Sequence, residues 1–429
     1  MSSESLALKG GWVVTQNPKR EILKADVLIE NGLISQIGKV GKADEVIDAK
    51  GCAVIPGLIN AHTHISMTLM RGIADDVNLE GFLNKTFKVD AQRTAEDIRA
   101  GAELGAIEML RSGCTSFVDM YYGQDIIAGA VKDSGIRGFL GWVVLDEKFT
   151  TQKGSPLTNC ERFISEHSGK DRIHPLVALQ GVYVCSEETL MKAKELAIAK
   201  DTLLHIHLSE TRKEVYDHQA STGNRPGDWL YGIGFLCDRV LAAHCAWLTM
   251  GEIRRMAERG VSAAHCPVSN MKLASGFEAP VPEMQSAGIS VGLGTDGCSS
   301  QNRLDMWGEM KTCALLHKVQ RLDATVMTAQ RVFDMATVEG ANALKMGDRL
   351  GSIEPGKIAD LAVIDLKHPA MVPTYPQNIV SNLVYSCQSD CVRHTVVGGK
   401  MAMKDSRILT MDEKKVAEDA QKISEKFFL

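Results

Sequence analysis

From Gly57 onward the chain alternates short apolar runs with stretches of 3.6-residue apolar period, each closed by Gly or Asp before the next run. Eight such runs follow one another: AVIPGLINAHTH, CTSFVDM, RGFLGWVVLD, HPLVALQGV, TLLHIHLSE, RVLAAHC, VSAAHCP and ISVGLGTDG. Strands alternating with helices build βα units on a parallel sheet, and a count of eight closes that sheet into a barrel. The helices carry end signals. Thr94 opens AEDIRAGAELGAIEMLRSG, which Gly113 closes, and Thr249 with Glu252 forms a capping box for the helix that stops at Gly260.

The flanks follow another rhythm. SLALKGGWVVT, ADVLIENGLISQIGK with its Asn31-Gly32 hairpin signal, and EVIDAKGCAVIPG are short strands and turns. LGSIEPGKIADLAVIDL and VRHTVVGGKMAM return to that pattern near the end. The expected architecture is α/β: a (β/α)8 TIM-type barrel over 57–350, with a small β-sandwich domain formed from both chain ends, 1–56 and 351–429. An amphipathic helix in MDEKKVAEDAQKISEKFF covers the C-terminal part.

In a barrel the chemistry sits where the strands run out, so the polar residues at those points are the candidates. His62 and His64 end the first run, and a spacing of two puts both imidazoles on one face of a strand. His207 ends the fifth run, His244 the sixth and Asp296 the eighth, positions that meet only if the barrel closes. Imidazoles with one carboxylate suit a single divalent ion, zinc first, with iron(II) or manganese(II) as alternatives. The metal set is His62, His64, His207 and Asp296. His244 is assigned to the nucleophilic water, because a one-metal site is complete without it. Glu210, three residues after His207, belongs to proton transfer.

Other histidines read differently. His205 shares a face with His207 but lies deeper, as a hydrogen-bonded core residue, and His265 is divided between pocket and structure. His167, His174, His218, His317, His368 and His394 fall outside strand ends and are expected at the surface. Met67, Leu69 and Met70 read as lid or core packing.

The formal net charge of -5 with no basic stripe argues against nucleic acid or a membrane surface and for a small-molecule partner. No run reaches the roughly 18 apolar residues of a spanning helix. The 11 cysteines include no CxxC pair and read as reduced thiols, so a cytoplasmic location is expected. Cys387 and Cys391 lie close together, but no neighbouring His or Cys completes a metal site.

PGLINAHTHISMTLMRG, HLSETRKEV, HCPVSNMKLASG and GTDGCSS resemble the amidohydrolase superfamily, in the branch of 5-methylthioadenosine/S-adenosylhomocysteine deaminases, 5'-deoxyadenosine deaminases and triazine hydrolases. The resemblance covers nearly the whole chain. It implies the same metal set, with metal-bound hydroxide attacking the amino-bearing ring carbon, Asp296 taking a proton, Glu210 protonating the ring nitrogen and ammonia departing. It also implies a homo-oligomer. Relatives with two metals carry a lysine after strand four, where this chain has LVALQGVYV.

Against those deaminases, Gln180 stands where a histidine is found. The ribose-binding glutamate falls at Asp90 or is missing, and Trp142 replaces an arginine that would clamp a carboxylate tail. Glu210, Gln180, Trp142, Asp90 and Asp296 are the expected substrate contacts. The implied activity is hydrolytic deamination of an amino-substituted N-heterocycle, an adenosine derivative first. The alternatives are a triazine-type halide or amine hydrolase and a guanine- or pterin-type deaminase. A non-catalytic scaffold is disfavoured by the complete ligand set.

Overall fold

The computed structural model describes residues 5–77, 79–150, 152–170, 172–276 and 279–428. The N-terminal segment forms β1 (Ser5–Val14), β2 (Ile22–Glu30), β3 (Leu33–Gly38), β4 (Glu45–Asp48) and β5 (Cys52–Pro56). The next eight strands are β6 (Leu58–Thr63), β7 (Cys114–Tyr121), β8 (Arg137–Val144), β9 (Ile173–Leu179), β10 (Leu204–Leu208), β11 (Val240–His244), β12 (Ser262–His265) and β13 (Val291–Leu293). The chain ends on β14 (Leu361–Asp365), β15 (Val392–Val397), β16 (Lys400–Lys404), β17 (Arg407–Ile408) and a helix over Glu413–Phe428.

Strands β6 to β13 pair in sequence order, all parallel, and form the expected barrel. Packed by the lumen on one side and helices on the other, β7 and β8 are buried along their whole length. Both caps seen in the sequence form: Thr94 closes a capping box with Asp97, and Thr249 with Glu252.

The first apolar run is divided between two sheets. Cys52–Pro56 pairs antiparallel with β14, and the chain passes at Gly57 into the barrel, where a Cβ would lie 2.2 Å from Thr115 Oγ1. Both chain ends share one mixed sheet, ordered β17-β16-β15-β14-β5-β1-β2-β3 with β4 beside β1. Leu8, Val13, Ile29, Val54, Leu361 and Val363 fill its own core. The Arg137 guanidinium on β8 reaches Asp360 at 3.0 and 3.1 Å, a buried two-pronged pair that ties barrel to sheet.

The barrel seam is closed by single contacts. Among the described residues no ladder joins β13 to β6; instead Asp296 N–H donates to His62 C=O at 3.0 Å. Asn60 bridges the gap, its Oδ1 accepting Thr295 N–H at 3.0 Å and its Nδ2 donating to Thr295 Oγ1 at 2.7 Å. Gly294 permits this approach, since a Cβ there would lie 2.8 Å from His62 Cβ.

Two histidines expected at the surface are buried: His317 on a helix against the barrel, and His394 within β15, where its Nδ1 accepts Asp405 N–H at 3.2 Å. His317 lies on a helix whose opposite side is exposed, so its position in the chain does not reveal the side it takes, whereas β15 is covered along nearly its whole length. No helix of the described residues is long and apolar enough to cross a membrane, and all 11 cysteines are free.

Asn60→Ala leaves Thr295 N–H buried without its acceptor. The variant is expected to lose about 1–3 kcal/mol of stability, read as a lower urea midpoint at unchanged slope.

Candidate metal centre and active site

At the C-terminal rim of the barrel each imidazole is held by its outer nitrogen, and this decides where its protons lie. His64 Nδ1 meets Met120 C=O at 2.6 Å and His207 Nδ1 meets Gln180 C=O at 2.8 Å. A carbonyl only accepts, so both rings carry a proton on Nδ1 and turn Nε2 inward. His205 Nδ1 donates to Leu241 C=O at 2.8 Å, which leaves its Nε2 to accept His62 Nδ1–H at 2.8 Å. His62 Nε2 is therefore free, and it is buried without a hydrogen-bond partner. His244 Nδ1 faces Asn270 Oδ1 at 3.0 Å and frees its Nε2 in the same way.

These nitrogens converge. The ligand atoms of His62, His64 and His207 lie within 4.8 Å of one another, as do those of His62, His244 and Asp296. Asp296 Oδ2 accepts from Ser269 Oγ at 2.6 Å and Ser300 Oγ at 2.8 Å. Its Oδ1 is left 3.5 Å from His62 Nε2 and 3.2 Å from His64 Nε2. Burial pushes the His62 and His207 imidazoles well below their usual range and His205 down to about 3, so these rings stay neutral. Burial also opposes charge on His64, but the Asp296 carboxylate outweighs it and raises that ring to about 9. A cation at the centre would displace that proton. Outer nitrogens locked, inner lone pairs aimed at one point and a carboxylate beside them fit a divalent ion.

The backbone pays for this aim with strain. Ser209, His244 and Asp296 all adopt left-handed conformations, with φ of 49°, 68° and 63°. Glu210 sits 3.9 Å from His244 Nε2, and burial raises its carboxyl while the His244 ring lowers it. Its backbone is fixed by Glu214, whose Oε2 accepts Glu210 N–H at 2.8 Å and whose Oε1 accepts Ser209 N–H at 2.9 Å. Glu214, Ser269, Asn270 and Ser300 are contributors that the strand-end pattern does not single out. Each lies beyond its strand, within HLSETRKEV, HCPVSNMKLASG or GTDGCSS.

Above the centre opens a cavity of about 700 Å³ lined by His64, His207, Glu210, His244, Asp296 and Gln180. Met67, Phe82, Phe87, Val182, Tyr183 and Leu273 form its apolar walls. Trp142 and Asp90 are outside this lining, contrary to expectation. Residues on β8 alternate, so Phe139 and Val143 face the lumen while Trp142 faces the helices, where its Nε1 donates to Gln152 Oε1 at 2.8 Å and Arg162 covers its ring. Asp90 is taken by the Tyr121 hydroxyl and by Arg93. His265 is buried outside the lining, its Nε2 3.2 Å from His317 Nε2.

A barrel with such a centre at its mouth defines a metal-dependent hydrolase. The chain belongs to the amidohydrolase family, whose model matches residues 53–402. It is 44% identical over 427 residues to a 5'-deoxyadenosine deaminase of Methanosarcina mazei, covering 98% of each chain. It is 43% identical over 411 residues to a 5-methylthioadenosine/S-adenosylhomocysteine deaminase of Thermococcus onnurineus, covering 94% of this chain and 95% of that one. Among solved structures, an adenosine deaminase of Xanthomonas campestris with bound zinc superposes with a TM-score of 0.95 at 34% identity, over 99% of this chain and 98% of that one. An atrazine chlorohydrolase of Arthrobacter aurescens, at 24% identity and a TM-score of 0.91 over 98% and 100% of the two chains, shares the fold.

One buried carboxylate ties the loops after β12 and β13 together: Glu309 accepts Val268 N–H at 3.3 Å and Gln301 Nε2 at 2.7 Å. Burial raises it to about 8 from 4.5. The folded chain thus holds a proton that the unfolded chain releases, and stability falls as pH rises from about 4.5 towards 8. In Glu309→Gln that part of the slope should vanish, which thermal unfolding at pH 5, 6.5 and 8 (about these values) would show as a flatter midpoint profile.

Proposed function

We propose that this protein is a hydrolytic deaminase of adenosine derivatives, with His62, His64, His207 and Asp296 holding one zinc ion. The observation that carries the proposal is Glu210 standing beside the inward-facing imidazoles on the floor of a cavity with apolar walls. The relatives' names, and the zinc in the adenosine deaminase neighbour, support it.

A divalent ion at such a centre supplies water activation, bringing the pKa of a water to about 7. The residues do the rest. Asp296, its Oδ2 pinned by two serine hydroxyls, presents Oδ1 to the centre, where it would both hold the ion and take the proton of the attacking water. His244, oriented by Asn270, offers Nε2 to the same water. Glu210, whose burial favours its protonated form, delivers a proton to the ring nitrogen next to the attacked carbon. Oxygen adds to that carbon, the amino group leaves as ammonia, and a carbonyl remains. Gln180 faces the ring edge with its amide, steadied by Tyr183 at 3.1 Å.

The cavity walls argue for an apolar 5' substituent. The described lining holds no arginine, and its Lys213 is paired with Asp217, so an amino-acid tail finds no bidentate clamp. Deoxy and methylthio forms fit the walls of Phe82, Phe87, Val182 and Leu273.

Ammonia release is expected from 5'-deoxyadenosine and methylthioadenosine at a kcat/KM above that for S-adenosylhomocysteine, and should vanish on chelation and return with zinc. Failure of the zinc-loaded enzyme to release ammonia from any adenosine derivative would overturn the proposal. Glu210→Gln should lower kcat by roughly 100-fold or more with zinc retained. Glu214→Gln, which keeps one acceptor but turns an NH2 group towards a backbone N–H, should cost roughly 10-fold, also with zinc retained; steady-state kinetics with metal analysis separates these from a lost ion.

A further inference from the structure

The segment HCPVSNMKL leaves β12 and turns at once into the short helix Pro267–Lys272, three of whose side chains reach other parts of the rim. Ser269 bonds Asp296 and Asn270 faces His244. Lys272 points elsewhere. Its Nζ donates to Asp75 Oδ1 and to Asn302 Oδ1, and Asn302 Nδ2 donates to Asp75 Oδ2 at 3.1 Å. The three side chains close a ring in which both oxygens of the Asp75 carboxylate are engaged. One comes from the loop after β6, one from the loop after β12 and one from the loop after β13, where Asn302 takes a left-handed φ of 71°. Asparagine tolerates that conformation better than most residues.

Asp75 stands just ahead of the helix Leu79–Asp90, which gives Phe82, Thr86 and Phe87 to the cavity wall. The far end of this helix is fixed from inside the protein. The Tyr121 hydroxyl and Arg93 hold the Asp90 carboxylate, and the Tyr122 hydroxyl donates to Asp90 C=O at 3.2 Å. Arg93 in turn donates to Ser66 C=O at 2.7 Å. The ring lies nearer the solvent, with the Lys272 and Asp75 side chains 25% and 37% exposed. A lone ion pair at that exposure contributes little. Here each group is held by two others, and the lysine is carried on a helix already tied to Asp296 and His244.

We infer that Lys272 is a positioning residue, acting through Asp75 and Asn302 to hold the helix Leu79–Asp90 as the cavity wall that meets the substrate's apolar 5' side. None of the three ring residues lines the cavity, so their effect reaches the substrate through Phe82, Thr86 and Phe87. Breaking the ring lets this wall drift while the inward-facing imidazoles stay aimed. Binding then weakens and the chemical step does not. One sequence segment thereby serves both halves of the site, the centre through Ser269 and Asn270 and the wall through Lys272. The inference rests on the deaminase reading for the substrate it names, and on the hydrogen bonds alone for the wall.

The test takes the zinc-loaded full chain as wild type, Lys272→Met, Asp75→Ala and the double variant. Hydrogen–deuterium exchange over residues 79–90 reads the wall directly, and steady-state kinetics on methylthioadenosine read its effect. Each single variant is expected to speed exchange in that segment and to raise KM roughly 5-fold, with kcat and zinc content kept. The double variant should match the single ones, because either change opens the same ring. A lysine that served only its own loop would disturb Ser269 and Asn270 and lower kcat, and Asp75→Ala, on another loop, would not reproduce it. Unchanged exchange over 79–90 in both single variants, or a fall in kcat at unchanged KM, would overturn the inference. If wild type releases ammonia from no adenosine derivative, the deaminase reading falls and exchange in the variants still decides whether the ring holds the wall.

Discussion

The hydrogen bonds across the barrel seam hold together the two strand ends from which most of the proposed metal set comes. Strand β6 carries His62 and leads into His64, β13 leads into Asp296, and no ladder binds these strands together among the described residues. Their separation is set by Asp296 N–H on His62 C=O and by Asn60 on Thr295, with Gly294 leaving room. A backbone bond between two of the proposed ligand residues means that closing the cylinder and bringing them together are one event. Parallel barrels need such closure before any residue at the rim has a partner.

The tautomer pattern then turns closeness into affinity. Each outer nitrogen is tied to a group that can only accept or, for His62, to a histidine itself so tied. A neutral imidazole held this way cannot swing its proton inward, so the centre offers lone pairs where a looser set would offer a mixture. His205 has no place at the centre and still governs it, because its Leu241 bond decides which nitrogen of His62 is bare.

The barrel, the shared sheet and the rim histidines were legible because each leaves a local mark: an apolar run, a turn pair, a polar residue where a run stops. What escaped was set by contacts distant in the chain. Trp142 lies in the right strand, but its facing depends on the register of β8, and a shift of one residue exchanges lumen for helix. The first apolar run has the pattern of one strand, because pairing with β14, some three hundred residues on, is what divides it at Gly57.

That division at Gly57 bears on how the molecule comes into being. Gly57 N–H is bonded to Asp360 C=O at 2.9 Å, and β5 pairs with β14 immediately before the chain enters β6. During synthesis the N-terminal strands and β6 leave the ribosome long before β14 exists. The anchor of His62 and His64 is thus made among the last contacts of the chain, and β5 waits with an open edge until then. A nascent chain stalled before β14 would contain every residue of the proposed site and still lack the register that aims them.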